Sequence, residues 1–149
     1  FVNEPLDSIL DIIEQAGLDM VQLHGDESIE YCKAVQERVF VIKVFRIGAM
    51  PPVTRDYEEV VDYLLFDTDS ALYGGSGMHF NWELIKNMQF TKPFFLSGGM
   101  GENDWGGIEV LTKTKAGPSF FAIDINSKFE VSPGIKDLNK IKQFINERI

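Results

Sequence analysis

The stretch MVQLHGDES, residues 20–28, begins as an apolar run and stops at His24-Gly25-Asp26, where a ring, a flexible residue and an acid replace the hydrophobes. Four further runs behave alike. VFVIKVF (39–45) meets Arg46, DYLLFD (62–67) closes on Asp67 before Thr68, PFFLSG (93–98) runs through Ser97 into Gly98 and Gly99, and FFAIDI (120–125) carries Asp124 near its end. Most of these runs lack the in/out alternation of a half-solvated strand, so they are expected to be strands covered on both faces.

Helical patterns separate them. In LDSILDIIEQAGLD, Leu6, Ile9, Leu10 and Ile13 repeat at helix spacing, and Gly17 is placed to stop the turn. DESIEYCKAVQERV carries Ile29, Cys32 and Val35 on one stripe, and IKDLNKIKQFINERI repeats at Ile135, Leu138, Ile141 and Ile145. Strand centres at Leu23, Val44, Leu65, Leu96 and Ile123 lie about 21 to 31 residues apart, the length of a strand–helix unit. The reading is a βα unit repeated five times. Such units build an open doubly wound sheet or a closed eight-stranded barrel. The reactive or small polar group at nearly every strand tip favours a barrel, which gathers several tips around one mouth, and no dinucleotide fingerprint follows the first strand. About three of the eight strands of such a barrel are then absent from the sequence.

Of the 149 residues, 44% are hydrophobic and 25% charged, the composition of one soluble globular domain. The 23 acidic and 14 basic side chains give a net charge of -9, with no block of Lys or Arg, which argues against nucleic acid as a partner. An anionic ligand would need a site built locally from backbone N–H groups and one or two cations. The single cysteine, Cys32, excludes an internal disulfide, and with only His24 and His79 as histidines no metal centre is expected. No secretion signal or apolar run of spanning length occurs, so a reducing, cytoplasmic setting is expected and no membrane. The chain begins Phe1-Val2-Asn3, which reads like the end of a strand, and a segment upstream is expected.

VQLHGDES, LLFDT followed by YGGSG-x-x-F-x-W, FFLSGGM and IDINSKFEVSPGIKD resemble, in order and spacing, the C-terminal part of phosphoribosylanthranilate isomerases of the tryptophan pathway. The likeness covers essentially the whole chain. It implies a (β/α)8 barrel, an α/β TIM barrel incomplete here, of which the chain supplies strands four to eight with Phe1 at the tip of the third. It also implies an Amadori rearrangement of N-(5-phosphoribosyl)anthranilate to 1-(2-carboxyphenylamino)-1-deoxyribulose 5-phosphate, with no cofactor and no metal. A general acid protonates the ribose ring oxygen to open the ring, and a general base removes the C2′ proton, each assisting by roughly 10²–10⁴-fold.

Residue by residue, the resemblance assigns the acid to Asp67, although Asp-Thr also caps turns. Asp124 matches an acid near the substrate amine, with a turn cap as the alternative, and His24 is a further mouth-lining candidate for substrate. Phosphate is expected between Ser97-Gly98-Gly99 and Asn126-Ser127-Lys128, where glycine lets the backbone approach an anion. Gly98-Gly99 alone would be only a tight turn. Lys128 replaces a glycine common in the family and is expected either to reach the phosphate or to point to solvent. Gly74 to Gly77 are expected to form a loop closing over Asp67.

The family's base lies in a Lys-apolar-Cys-Gly motif on the first strand, which this sequence does not contain, so the chain alone is expected to be inactive. Cys32 sits on a helical stripe and reads as a buried structural thiol. The family's carboxylate-binding arginine is likewise expected upstream, and Arg46 is not assigned that role. A small phosphorylated substrate is the expected partner, with self-association through open barrel edges. A phosphate-binding partial barrel without chemistry and another phosphosugar enzyme of the same barrel type are the alternatives.

Overall fold

The computed structural model describes residues 1–68 and 81–146. Five strands, β1 (Met20–Leu23), β2 (Phe40–Ile47), β3 (Tyr63–Thr68), β4 (Phe94–Leu96) and β5 (Phe120–Ile123), form one sheet in sequence order. All four pairings are parallel. The strands fall where the apolar runs predict them, and parallel pairing puts every polar tip at the same end.

The helices among the described residues are α1 (Leu6–Ala16), α2 (Ile29–Gln36), α3 (Glu83–Lys86), α4 (Trp105–Thr112) and α5 (Leu138–Asn146). Gly17 ends α1 at φ 62, the left-handed conformation that a side chain would resist. Ser28 caps α2 by accepting from the Tyr31 N–H. One face of the sheet packs on these helices: Ile9, Ile13, Cys32, Val35, Ile85, Ile108 and Leu111 meet Val21, Leu23, Val41, Leu64, Phe66, Phe94 and Leu96 in a single core. Cys32 is a buried free thiol whose pKa burial pushes up to about 11, so it packs as a small hydrophobe.

Three expectations need correction. Strands covered on both faces are found only toward the middle of the sheet, where Leu64, Leu65 and Phe66 are buried in succession; Phe40 and Phe121, on the face away from the helices, are 57% and 58% exposed. The βα repeat lapses once. Between β2 and β3 the chain makes a turn around residues 54–60 in place of a helix, closed by the Glu58 N–H on the Thr54 carbonyl. Pro51 and Pro52 lack an N–H and hold the residues before them extended, which keeps the stretch before Val53 out of a helix. Between β5 and α5 stands a short antiparallel hairpin, β6 (Glu130–Ser132) with β7 (Ile135–Lys136), so Ile135, expected to open the last helical stripe, belongs to a strand and the helix starts at Leu138.

The last pairing carries a bulge. Phe94 pairs with Phe120, but Phe95 pairs with Ala122, so β5 holds one extra residue, Phe121. No described helix is long and apolar enough to cross a membrane.

Glu58 is buried and anchors the turn to the loop before β4. Its carboxylate accepts from the Thr54 hydroxyl at 2.7 Å and from the Thr91 N–H and hydroxyl at 2.6 and 2.7 Å. Burial disfavours the charge, but the Thr54 and Thr91 donors outweigh it and hold the group below its ordinary value of 4.5. A depressed folded-state pKa contributes stability above the unfolded value, which is lost as pH falls through the folded value. Glu58→Gln should therefore lower unfolding free energy by about 1–3 kcal/mol at neutral pH. It should also flatten the decline of stability below pH 4.5, as read from urea melts across acidic pH.

Candidate active site

At the carboxyl end of the sheet, His24 follows β1 directly, and its N–H donates to the Phe1 carbonyl at 2.8 Å. Its ring reaches across β2 to β3, bringing Nε2 within 3.3 Å of Asp67 Oδ2. The Gln22 amide nitrogen lies 3.3 Å from the other ring nitrogen, Nδ1. An amide donor there leaves the ring proton on Nε2, facing the carboxylate. Asp67 Oδ1 meanwhile accepts the Thr68 N–H at 2.8 Å. The turn cap expected of Asp67 is made by Oδ1, which leaves Oδ2 to face the His24 ring.

The next strands continue the chain of contacts. Thr68 Oγ1 donates to the Gly98 carbonyl at 3.2 Å. Gly98 and Gly99 both take positive φ, 82 and 75, turning the chain sharply after β4. A β-carbon on Gly98 would lie 2.5 Å from the Thr68 nitrogen and 2.2 Å from its hydroxyl, so this turn requires glycine for both conformation and space. Ser97 points its hydroxyl at Asp124 Oδ2, 2.9 Å away, while the Asp124 N–H donates to the Leu96 carbonyl at 2.7 Å. The Ser97 hydroxyl is thus engaged in orienting Asp124.

Beyond β5, Asn126-Ser127-Lys128 enter a 3₁₀ turn at Ser127–Phe129. The Asn126 side-chain carbonyl accepts from Lys136 Nζ at 2.7 Å, which ties this loop to β7. Ser127 is exposed. Lys128 is half-buried, its stem lying so close to Gly101 that a β-carbon there would come within 3.0 Å of Lys128 Cδ. The two glycine- and lysine-bearing loops are therefore neighbours, and Gly101, Asp104, Ser127, Lys128 and Lys140 line a pocket between them. Gly74 to Gly77 and His79 lie outside the described residues. Among the described residues, no three His, Cys, Asp or Glu side chains stand close enough to hold a metal ion.

Two features escape the sequence reading. Arg46, level with Asp67 on the neighbouring strand, forms an ion pair with Asp26. Lys43, hidden inside an apolar run, is 3% exposed and pairs with buried Glu27 at 3.0 Å. Burial works against the Glu27 charge, but the Asn3 N–H and the Lys43 ammonium hold its pKa below the usual carboxylate range. The signal available in the sequence is a lysine in the middle of VFVIKVF, where an unpaired charge would be very costly.

Acids, a histidine and a glycine turn converging at the carboxyl ends of parallel strands define an α/β enzyme class that works at its strand tips. A family model described as N-(5'-phosphoribosyl)anthranilate (PRA) isomerase matches residues 1–147. The N-(5'-phosphoribosyl)anthranilate isomerase of Parabacteroides distasonis is 41% identical over 99% of this chain and 66% of its own length. The solved structure of phosphoribosyl anthranilate isomerase from Thermotoga maritima gives a TM-score of 0.75 at 37% identity, covering 98% of this chain and 69% of that one. A phosphoribosyl anthranilate isomerase in complex with reduced 1-(o-carboxyphenylamino)-1-deoxyribulose 5-phosphate gives 0.63 at 32% identity, over 98% of this chain and 67% of that one. The chain belongs to the PRA isomerase family, and it spans about two thirds of the length of the relatives it matches.

Gly98→Ala should destabilise the protein by about 2–4 kcal/mol, combining left-handed strain with overpacking against Thr68. The urea midpoint measures this, and an unchanged midpoint would mean that the turn adapts without strain.

Proposed function

We propose that this chain supplies the acid and the phosphate-holding loops for the Amadori rearrangement of N-(5-phosphoribosyl)anthranilate to 1-(2-carboxyphenylamino)-1-deoxyribulose 5-phosphate in tryptophan biosynthesis. The observation that carries the reading is the meeting of His24 and Asp67 at the strand tips, in a chain of this family. Asp67 Oδ2 delivers a proton to the ribose ring oxygen, the ring C–O bond breaks, and a Schiff base forms. The N–H of His24 then stabilises the carboxylate left behind. Asp124, oriented by the Ser97 hydroxyl, faces the substrate amine. The backbone at Gly98-Gly99, with Asn126, Ser127 and Lys128, receives the phosphate, while the Ser97 N–H and hydroxyl stay on the Phe66 carbonyl and Asp124. The reaction requires no cofactor.

Loss of the C2′ proton needs a base. Cys32, the one cysteine in the sequence, is buried on the helix side with its thiol pKa pushed up to about 11, so it cannot serve. In this reading the five strands correspond to strands four to eight of a (β/α)8 barrel, the base belongs to a Lys-apolar-Cys-Gly strand, and the 149 residues alone bind without turnover. Association of copies through the unpaired β5 edge belongs to the same reading, because Phe121 is exposed beside it. Sedimentation should give species larger than a monomer, and a sharp monomeric profile would remove that part.

The reduced product analogue, titrated into the chain and followed by NMR, should move the backbone amides of Gly98, Gly99 and Lys128. Shifts confined to other residues would refute the phosphate assignment. In a form of the protein that turns over, followed by loss of substrate fluorescence, Asp67→Asn should lower kcat by about 10²–10⁴-fold. Equal turnover would refute the acid, and turnover by the chain alone would move the base onto its own residues.

A further inference from the structure

Behind the mouth, on the face opposite His24, the Lys43 ammonium is closed off from water. Its Nζ donates to the Gly25 carbonyl at 2.8 Å and to Glu27 Oε2 at 3.0 Å, with the Val44 and Leu23 carbonyls at 3.2 and 3.4 Å. Leu23 and Gly25 are the residues on either side of His24. Glu27 completes the enclosure from the other direction, since its Oε1 accepts the Gly25 N–H and the Asn3 N–H, both at 3.0 Å. Asn3 in turn accepts the Asp26 N–H at 2.7 Å, packed so tightly on Gly25 that no β-carbon would fit there. Tyr57 donates its hydroxyl to the Glu27 carbonyl at 3.0 Å, and Phe45 presents its ring 5.9 Å from the ammonium.

A buried ion pair is a weak source of stability, because desolvation of two charges consumes most of their attraction, and apolar replacements often fold as well. What such a pair gives is fixed geometry, and geometry is what His24 needs. Asp67 lies two strands away, about 9–10 Å at ordinary strand spacing, and the histidine ring must cross β2 to meet it. A small rotation of the Leu23–Gly25 backbone would swing the ring off the carboxylate.

We propose that Lys43, held by Glu27, is a positioning residue: by binding the carbonyls that flank His24 it aims the imidazole at Asp67. The inference rests on the reading of Asp67 as the acid for its catalytic meaning, but its test reads imidazole geometry and not turnover. Coupling that is intact while Asp67→Asn leaves turnover unchanged in a form of the protein that turns over would therefore fail that reading alone.

The experiment is a double-substitution comparison on the full ¹⁵N-labelled chain at neutral pH, reading the imidazole nitrogens of His24, which are told from those of His79 by their disappearance in His24→Gln. With Lys43 present, Asp67→Asn should shift the His24 signals. In Lys43→Met that response should be lost while the methyl spectrum stays dispersed. Because Lys43→Met leaves Glu27 buried without its cation, the comparison is repeated in Lys43→Met with Glu27→Leu, which removes both charges, and the response should again be lost. A response of full size in either folded background overturns the proposal. So does the loss of a dispersed spectrum in both, since the pair would then determine the fold instead of aiming one side chain.

Discussion

Five strands running in one direction are the constraint on which everything else in the molecule rests. Parallel pairing requires each strand to return to the same starting edge, so every helix or turn between strands crosses back over one face, and every carboxyl end emerges at the other rim. The helix face collects Val21, Leu23, Val41, Leu64, Phe66, Phe94 and Leu96 into the core, while the rim collects His24, Arg46, Asp67, Ser97 and Asp124. Stability and chemistry are thereby separated along each strand. A residue near the middle is held by packing, and a residue two or three positions on is left to polar contacts.

Much of this was legible from residue order, for a physical reason in each case. The strands of a covered parallel sheet are short continuous apolar runs, so β1 to β5 were visible to within a few residues. Gly17 and Ser28 announced helix ends because left-handed conformation and N-capping each demand particular residue types. Between β2 and β3 the βα period implies a helix, but the residues after Pro51-Pro52 close only isolated turns, which the period cannot show. The β6–β7 hairpin was missed because strands of three and two residues are too short to show a period.

The site was legible in its parts and not in its connections. Strand tips disclose that His24 and Asp67 share a rim, but nothing in their order says that the ring spans an intervening strand. Glu27 and Lys43 are 16 residues apart, and only the folded register brings the amine over the end of β1. Pairing across a sheet is a property of register, which short sequence windows do not contain. The electrostatics follow the same division: the chain carries -9 overall, yet screening at about 8–10 Å leaves the local balance of Lys128 and Lys140 against Glu102, Asp104 and Glu130 to set what an anion meets at the far loops.

The extra residue in β5 has a meaning that reaches past local irregularity. Phe94 and Phe120 face the helices together, so with strict alternation Ser97, three residues on, would face the mouth, and Asp124, four residues on, would face the core. By placing both Phe121 and Ala122 opposite Phe95, the bulge reverses the parity of everything downstream and turns Asp124 to the same side as Ser97. The length of β5 is thus a heritable constraint separate from its composition. A single codon gained or lost within FFAI would leave the hydrophobic content of the strand nearly unaltered, yet would exchange the acid at the rim for an acid aimed into the helix layer.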